Sequence, residues 1–159
     1  MKKKVLCFLL LVLIGKPLVV ASADQKPRKP TPRDKCPVCG MFVYKYPDWV
    51  AQAAFQDGTR VYFDGAKDLL KFYLDPSHYL AGKSRSGIIA IWVTDYYALE
   101  SIDGRQAFYV LGSDVFGPMG RELIPLAKEA EAREFLKDHQ GKKILRSQEI
   151  TPEILKTLE

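Results

Sequence analysis

Residues 49–74 read WVAQAAFQDGTRVYFDGAKDLLKFYL, and three kinds of local order follow one another in that stretch. Trp49 to Phe55 is strand-like, Asp57-Gly58 is a hairpin-turn dipeptide, and Arg60-Val61-Tyr62-Phe63 supplies the returning strand. Asp64 is placed to cap a helix in which Ala66, Leu69, Leu70 and Tyr73 recur at the spacing of one apolar face. Pro76 stops that helix. Beyond a polar Gly/Ser loop, Ile88 to Leu99 is rich in β-forming residues, so the order is strand, strand, helix, strand.

The same order recurs downstream. Gln106 to Leu111 and Glu122 to Leu126 are predicted strands. Lys128 to His139 is a predicted helix with Ala132, Phe135, Leu136 and His139 on one face, ended by Gly141. Lys142 to Ile150 offers a further strand, and Thr151-Pro152 starts a short closing helix. The pattern predicts an α+β fold of two similar ββαβ halves, residues 36–100 and 101–159.

Upstream, Lys2, Lys3 and Lys4 precede the apolar run Val5 to Ile14, and Ala21-Ser22-Ala23 carries the small residues of a signal-peptidase site. Residues 1–23 are expected to be a signal peptide cleaved before Asp24; an uncleaved anchor is the alternative, but a membrane span needs ~20 apolar residues. This segment holds four of the 24 basic residues and none of the 19 acidic ones, so the remainder carries a net charge of only +1. Nucleic-acid binding calls for a basic domain or stripe, which a near-neutral chain does not offer. Residues 24–35, with Pro27, Pro30 and Pro32 among Lys26, Arg28, Lys29, Arg33 and Lys35, read as an extended linker. It is either a solvated leader or a docking arm for an acidic partner or membrane surface.

Once Cys7 leaves with the signal peptide, four sulfur atoms remain: Cys36, Cys39, Met41 and Met119. None lies on an apolar helical face, where methionine usually fills core. All four sit in two glycine- and proline-rich loops, Cys36-Pro-Val-Cys39-Gly40-Met41 and Gly117-Pro118-Met119-Gly120. Thiolate and thioether together select copper(I). Calcium or magnesium would require clustered oxygens, and structural zinc a fuller Cys/His set. His78 reads as a surface residue, and His139 as a partner of the helix dipole. The residues leave three readings of Cys36 and Cys39 open: metal ligands, a structural disulfide, or a redox pair. The βαβ context of a thioredoxin-type motif is missing, and a disulfide closing so short a loop gains little chain entropy.

Three separated motifs carry a more specific resemblance. They are Cys36-Pro37-Val38-Cys39-Gly40-Met41, then Tyr62-Phe63-Asp64-Gly65-Ala66-Lys67-Asp68, then Gly112-Ser113-Asp114-Val115 with Gly117-Pro118-Met119-Gly120. In this order, over about residues 34–150, the chain resembles the NosL family, accessory proteins of nitrous oxide reductase viewed as copper(I) chaperones. The resemblance implies a duplicated ββαβ architecture related to part of the organomercurial lyase fold. Carried over by position, the family's Cys-Gly-Met motif falls on Cys39, Gly40 and Met41 and its Pro-Met-Gly motif on Pro118, Met119 and Gly120; with Cys36 added, the expected copper(I) ligands are Cys36, Cys39, Met41 and Met119, in a carrier without catalytic turnover. The partners the resemblance implies are a copper-accepting periplasmic enzyme, nitrous oxide reductase, and an upstream copper exporter. Two departures stand out. Many members carry histidine where this chain has Arg121, whose guanidinium cannot ligate a metal. Cys36 then compensates as a second thiolate, or Arg121 helps keep a cysteine deprotonated. Members are often lipoproteins anchored through a cysteine at the cleavage site, and here no cysteine lies near Ala23. The expectation is a soluble periplasmic protein, with membrane anchoring as the alternative.

Overall fold

A computed structural model of the chain describes residues 26–159. The expected signal peptide lies outside the described residues. Strands β1 (Ala51–Phe55) and β2 (Arg60–Phe63) pair antiparallel across the Asp57-Gly58 turn, where Gly58 takes φ 84°. Helix α1 (Ala66–Leu74) follows at once. Pro76 ends it but also opens a second short helix, α2 (Pro76–Tyr79), at whose N-terminus the Asp75 carboxylate accepts from the His78 N–H. Proline tolerates that position because the first-turn N–H it lacks has no intrahelical partner. Strand β3 (Ile88–Thr94) returns along β1, and β4 (Ser101–Asp103) adds to β3, giving the sheet order β2-β1-β3-β4. Residues 101–103, beyond the expected boundary, thus pair with the first sheet. The run expected to continue to Leu99 turns after Thr94, because the buried Asp95 carboxylate accepts from the Tyr97 and Ala98 N–H groups.

In the second half, β5 (Phe108–Gly117) and β6 (Gly120–Leu126) form a hairpin, α3 (Glu129–Asp138) crosses, and β7 (Lys143–Arg146) pairs with β5. Its order, β6-β5-β7, repeats the β2-β1-β3 arrangement of the first half. Helix α4 (Pro152–Lys156) closes the chain, with Thr151 as its cap.

The second sheet is buried on both faces, following the two-residue period of a strand. Tyr109, Leu123 and Leu145 face a core shared with Phe63, Leu69, Leu70 and Phe72 of the first half. Val110, Ile124 and Leu126 face Ala132 and Phe135 of α3. The halves therefore share one interior. The 26–35 segment is mostly exposed yet anchored: the Arg28 N–H donates to Gln52 Oε1 at 3.0 Å and Gln52 Nε2 donates to the Arg28 carbonyl at 3.1 Å.

The β5–β6 hairpin needed more than strand propensity. Opposite Glu122, β5 carries a bulge between Leu111 and Phe116, and Gly112 enters it at φ 77°. The Asp114 N–H donates to the His139 carbonyl at the end of α3. Bulges bend a strand and sharpen its twist. Beyond this one, the hairpin tip, Gly117 to Gly120, reaches the start of α1.

Candidate metal centre

The Cys36 loop is a closed knuckle. The Cys36 N–H donates to the Met41 carbonyl at 2.9 Å, the Gly40 N–H to the Cys36 carbonyl at 2.8 Å, and Lys35 bridges to Phe42. Gly40 takes φ 80°, a left-handed conformation that glycine adopts without strain. Both cysteines are free thiols; Cys36 is buried at 1% exposure and packs in the main core, while Cys39 is half-buried at its edge. Met41 is half-buried on the same knuckle.

Facing the knuckle is the turn that starts α1. Asp64 was expected to cap this helix, but the N-cap position falls on Gly65, and the first-turn N–H of Lys67 is taken by the Glu122 carboxyl from the second half. Asp64 instead accepts a hydrogen bond from the Cys39 thiol at 3.1 Å, and Asp68 accepts one from the Cys36 thiol at 3.3 Å. Ligand atoms of Cys36, Cys39, Asp64 and Asp68 all lie within 4.8 Å of one another. Asp64 Oδ2 is buried without a hydrogen-bond partner, an open acceptor at the cluster. The two aspartates were not expected as site residues. Their four-residue spacing at a helix start does place them on one face, but only tertiary structure sets that face against the sulfurs.

Burial pushes the Cys39 thiol up to about 12, with the Asp64 carboxylate adding to the effect. Burial pushes Cys36 higher still, and both carboxylates reinforce it. The two thiols are therefore protonated at neutral pH. This corrects the expectation that Arg121 keeps a cysteine deprotonated: Arg121 is not among the main influences on either thiol. Opposing N–H groups, Cys39 on Cys36 and Met41 on Cys39, favour the thiolates once they form. The site thus holds two soft donors whose protons already point at carboxylates able to receive them. The sulfurs suit copper(I), while the carboxylate oxygens are hard donors suited to protons or to harder ions.

Met119 lies at the hairpin tip, 44% exposed. Its carbonyl accepts from the Lys67 ammonium at 3.0 Å, so its backbone is fastened to the α1 turn that carries Asp64 and Asp68. Arg121 is exposed, and its carbonyl accepts from the same ammonium at 2.8 Å. His78 is exposed on α2, and His139 ends α3 with Nδ1 3.1 Å from Asp114.

The sequence profile of NosL matches residues 27–155, from ahead of the Cys36 loop into α4. The chain belongs to the NosL family. A copper-binding lipoprotein NosL of Stutzerimonas stutzeri is 30% identical over 129 residues, covering 77% of this chain and 64% of the relative. The chain thus spans just under two thirds of that relative's length. Among solved structures, the copper chaperone NosL of Shewanella denitrificans superposes with a TM-score of 0.69 at 23% identity, over 82% of this chain and 98% of that one. This establishes the shared NosL fold. The apo-NosL solution structure from Achromobacter cycloclastes aligns more loosely, with a TM-score of 0.48 at 24% identity over 66% of this chain and 87% of that one.

Proposed function

We propose that this NosL protein is a copper(I) carrier that binds one ion through the Cys36 and Cys39 thiolates and passes it to a copper enzyme, with no catalytic turnover. The observation that carries the reading is the pair of free thiols gathered with Asp64 and Asp68 within 4.8 Å. Copper-binding and copper-chaperone relatives support the choice of metal. Met41, on the same knuckle, and Met119, on the hairpin beside α1, complete the ligand set as thioethers. Low-coordinate sulfur favours the reduced ion and leaves room for an incoming ligand, so copper can leave through a shared intermediate. In this proposal the protein is exported and works in the periplasm, soluble once its signal peptide is removed. Its recipient is nitrous oxide reductase, and an upstream exporter supplies the ion.

An anaerobic copper(I) titration of the reduced protein against a chromophoric chelator tests this. A one-to-one endpoint, weakened by Met41→Leu and Met119→Leu, is the expected result. Failure to compete with the chelator would end the carrier reading. The proximity of Cys36 and Cys39 also allows a thiol-disulfide role, but reactive thiols have depressed pKa values and both of these are raised. The methionine variants separate the two roles, since thiol redox behaviour should not respond to them.

A further inference from the structure

We infer that Lys67 is the positioning residue that holds Met119 at the thiol cluster, so that the segment 64–68 assembles the copper site from both halves of the fold. The inference rests on the reading of Met119 as a copper ligand.

Lys67 sits on α1 at only 4% exposure. Lysine on a surface helix normally extends its ammonium to water, as Lys71 does one turn later when it reaches the exposed Glu159. The Lys67 ammonium turns inward and donates to three backbone carbonyls: Arg121 at 2.8 Å, Met119 at 3.0 Å and Leu158 at 3.4 Å. A buried charge is tolerated only where it is hydrogen-bonded, and two of these three acceptors, Met119 and Arg121, belong to the β5–β6 hairpin. At its other end, the Lys67 N–H donates to Glu122 Oε1 at 2.6 Å, and the same oxygen accepts from the Leu123 N–H at 2.8 Å. One residue thus grips the hairpin twice, by its ammonium at Met119 and Arg121 and by its main chain at Glu122. The residues on either side of it in the same turn, Asp64 and Asp68, take the hydrogen bonds of the two thiols.

This arrangement gives the segment two separable tasks. Its aspartates orient the knuckle thiols, and its lysine fixes the backbone from which the Met119 thioether extends. An interaction that orients a ligand without touching the metal typically changes metal affinity about 10- to 100-fold when removed.

The test compares copper(I) affinity and the carbon-13 methyl resonance of Met119 in the wild type and in Lys67→Leu, Lys67→Arg, Met119→Leu and the Lys67→Leu/Met119→Leu double variant. Lys67→Leu should weaken copper binding about 10- to 100-fold and abolish the copper-induced shift of the Met119 methyl. The double variant should bind no more weakly than Met119→Leu alone, because both changes act through one contact. Lys67→Arg, which keeps a cation and donors, should restore part of the affinity. An unchanged affinity and methyl shift in Lys67→Leu would overturn the inference, as would additive losses in the double variant. Should Lys67→Leu fail to fold, Lys67→Gln, which can still hold one carbonyl, carries the same comparison. If Met119→Leu alone changes nothing and wild-type Met119 shows no shift, it is the ligand reading that fails, and that result is obtained without any lysine variant.

Discussion

Replacing Glu122 by glutamine should remove most of the dependence of stability on pH between 5 and 8. The Glu122 carboxyl is buried at 3% exposure beneath the β5–β6 hairpin, against Gly65 and Gly117. Burial pushes it from 4.5 up to about 8, against the opposing pull of the Leu123 and Lys67 N–H groups and the Lys67 charge. A carboxyl whose folded pKa is raised contributes stability that is complete below its unfolded value and is lost as pH rises through the folded value. For Glu122 that window runs from about 4.5 to about 8. At about 1.4 kcal/mol per unit of displacement, the group should cost the native state about 3 kcal/mol between pH 5 and pH 8. With a urea slope of about 1–3 kcal/mol/M, the unfolding midpoint of the wild type should fall by roughly 1–3 M over this interval. Glutamine keeps an oxygen for the Lys67 and Leu123 N–H groups but has no proton to lose. Urea unfolding of both proteins, reduced, at pH 5, 6, 7 and 8 is the assay. Glutamine could shift the whole curve by a constant, so the test is the difference between the two profiles. Parallel profiles would refute the assignment of a buried, proton-holding Glu122.

Three further outcomes follow from the site. Iodoacetamide alkylation of Cys39 should keep rising with pH through 10, since burial and Asp64 push this thiol up to about 12; a plateau near the ordinary thiol value of about 8.5 would contradict that account. Asp64→Asn should raise the alkylation rate of Cys39 at pH 8 more than Asp68→Asn does, because Asp64 holds the Cys39 proton and Asp68 that of Cys36; equal effects in mass-resolved alkylation would count against the pairing. Gly65→Ala puts a methyl group into the Glu122 carboxylate and should cost about 1–3 kcal/mol, as overpacking does, read by thermal or urea unfolding; full stability would mean the helix start is free to shift.

What could be read from the sequence was what local chemistry specifies. The Asp57-Gly58 turn, the apolar face of α1 and the α3 face around Ala132 and Phe135 need only their own neighbours, and each is found where expected. The α+β class follows from the order of those elements. Asp64 was legible as a residue near a helix start but not as a thiol's partner, because that role depends on a knuckle 25 residues away in sequence. The reach of β5 to Gly117 was missed because Gly112-Ser113-Asp114 reads as a break, while in the fold it is a bulge secured by the end of α3. Lys67 was part of a quoted motif but gave no sign of burial, since its acceptors are main-chain carbonyls that composition does not reveal.

The charge of the loaded site leads to one more expectation. In the metal-free protein both thiols are protonated and both point at carboxylates, at 3.3 and 3.1 Å. If copper(I) displaced both thiol protons to solvent, two thiolates and two carboxylates would face one copper charge in a largely buried cluster. Uncompensated buried charge costs several kcal/mol per ion, and a proton kept in one of the thiol–carboxylate hydrogen bonds removes one such charge. Copper loading near pH 7 should therefore release fewer than two protons per ion. A proton kept within the cluster is at hand for sulfur as copper departs, which favours release to a partner. An anaerobic titration in weakly buffered solution with a pH-indicator dye counts these protons directly. The Asp64→Asn/Asp68→Asn double variant keeps amide oxygens for the thiol hydrogen bonds but carries neither carboxylate charge, and should release close to two. Equal counts in the variant and the wild type would refute proton retention in the thiol–carboxylate pairs and leave the aspartates only an orienting role.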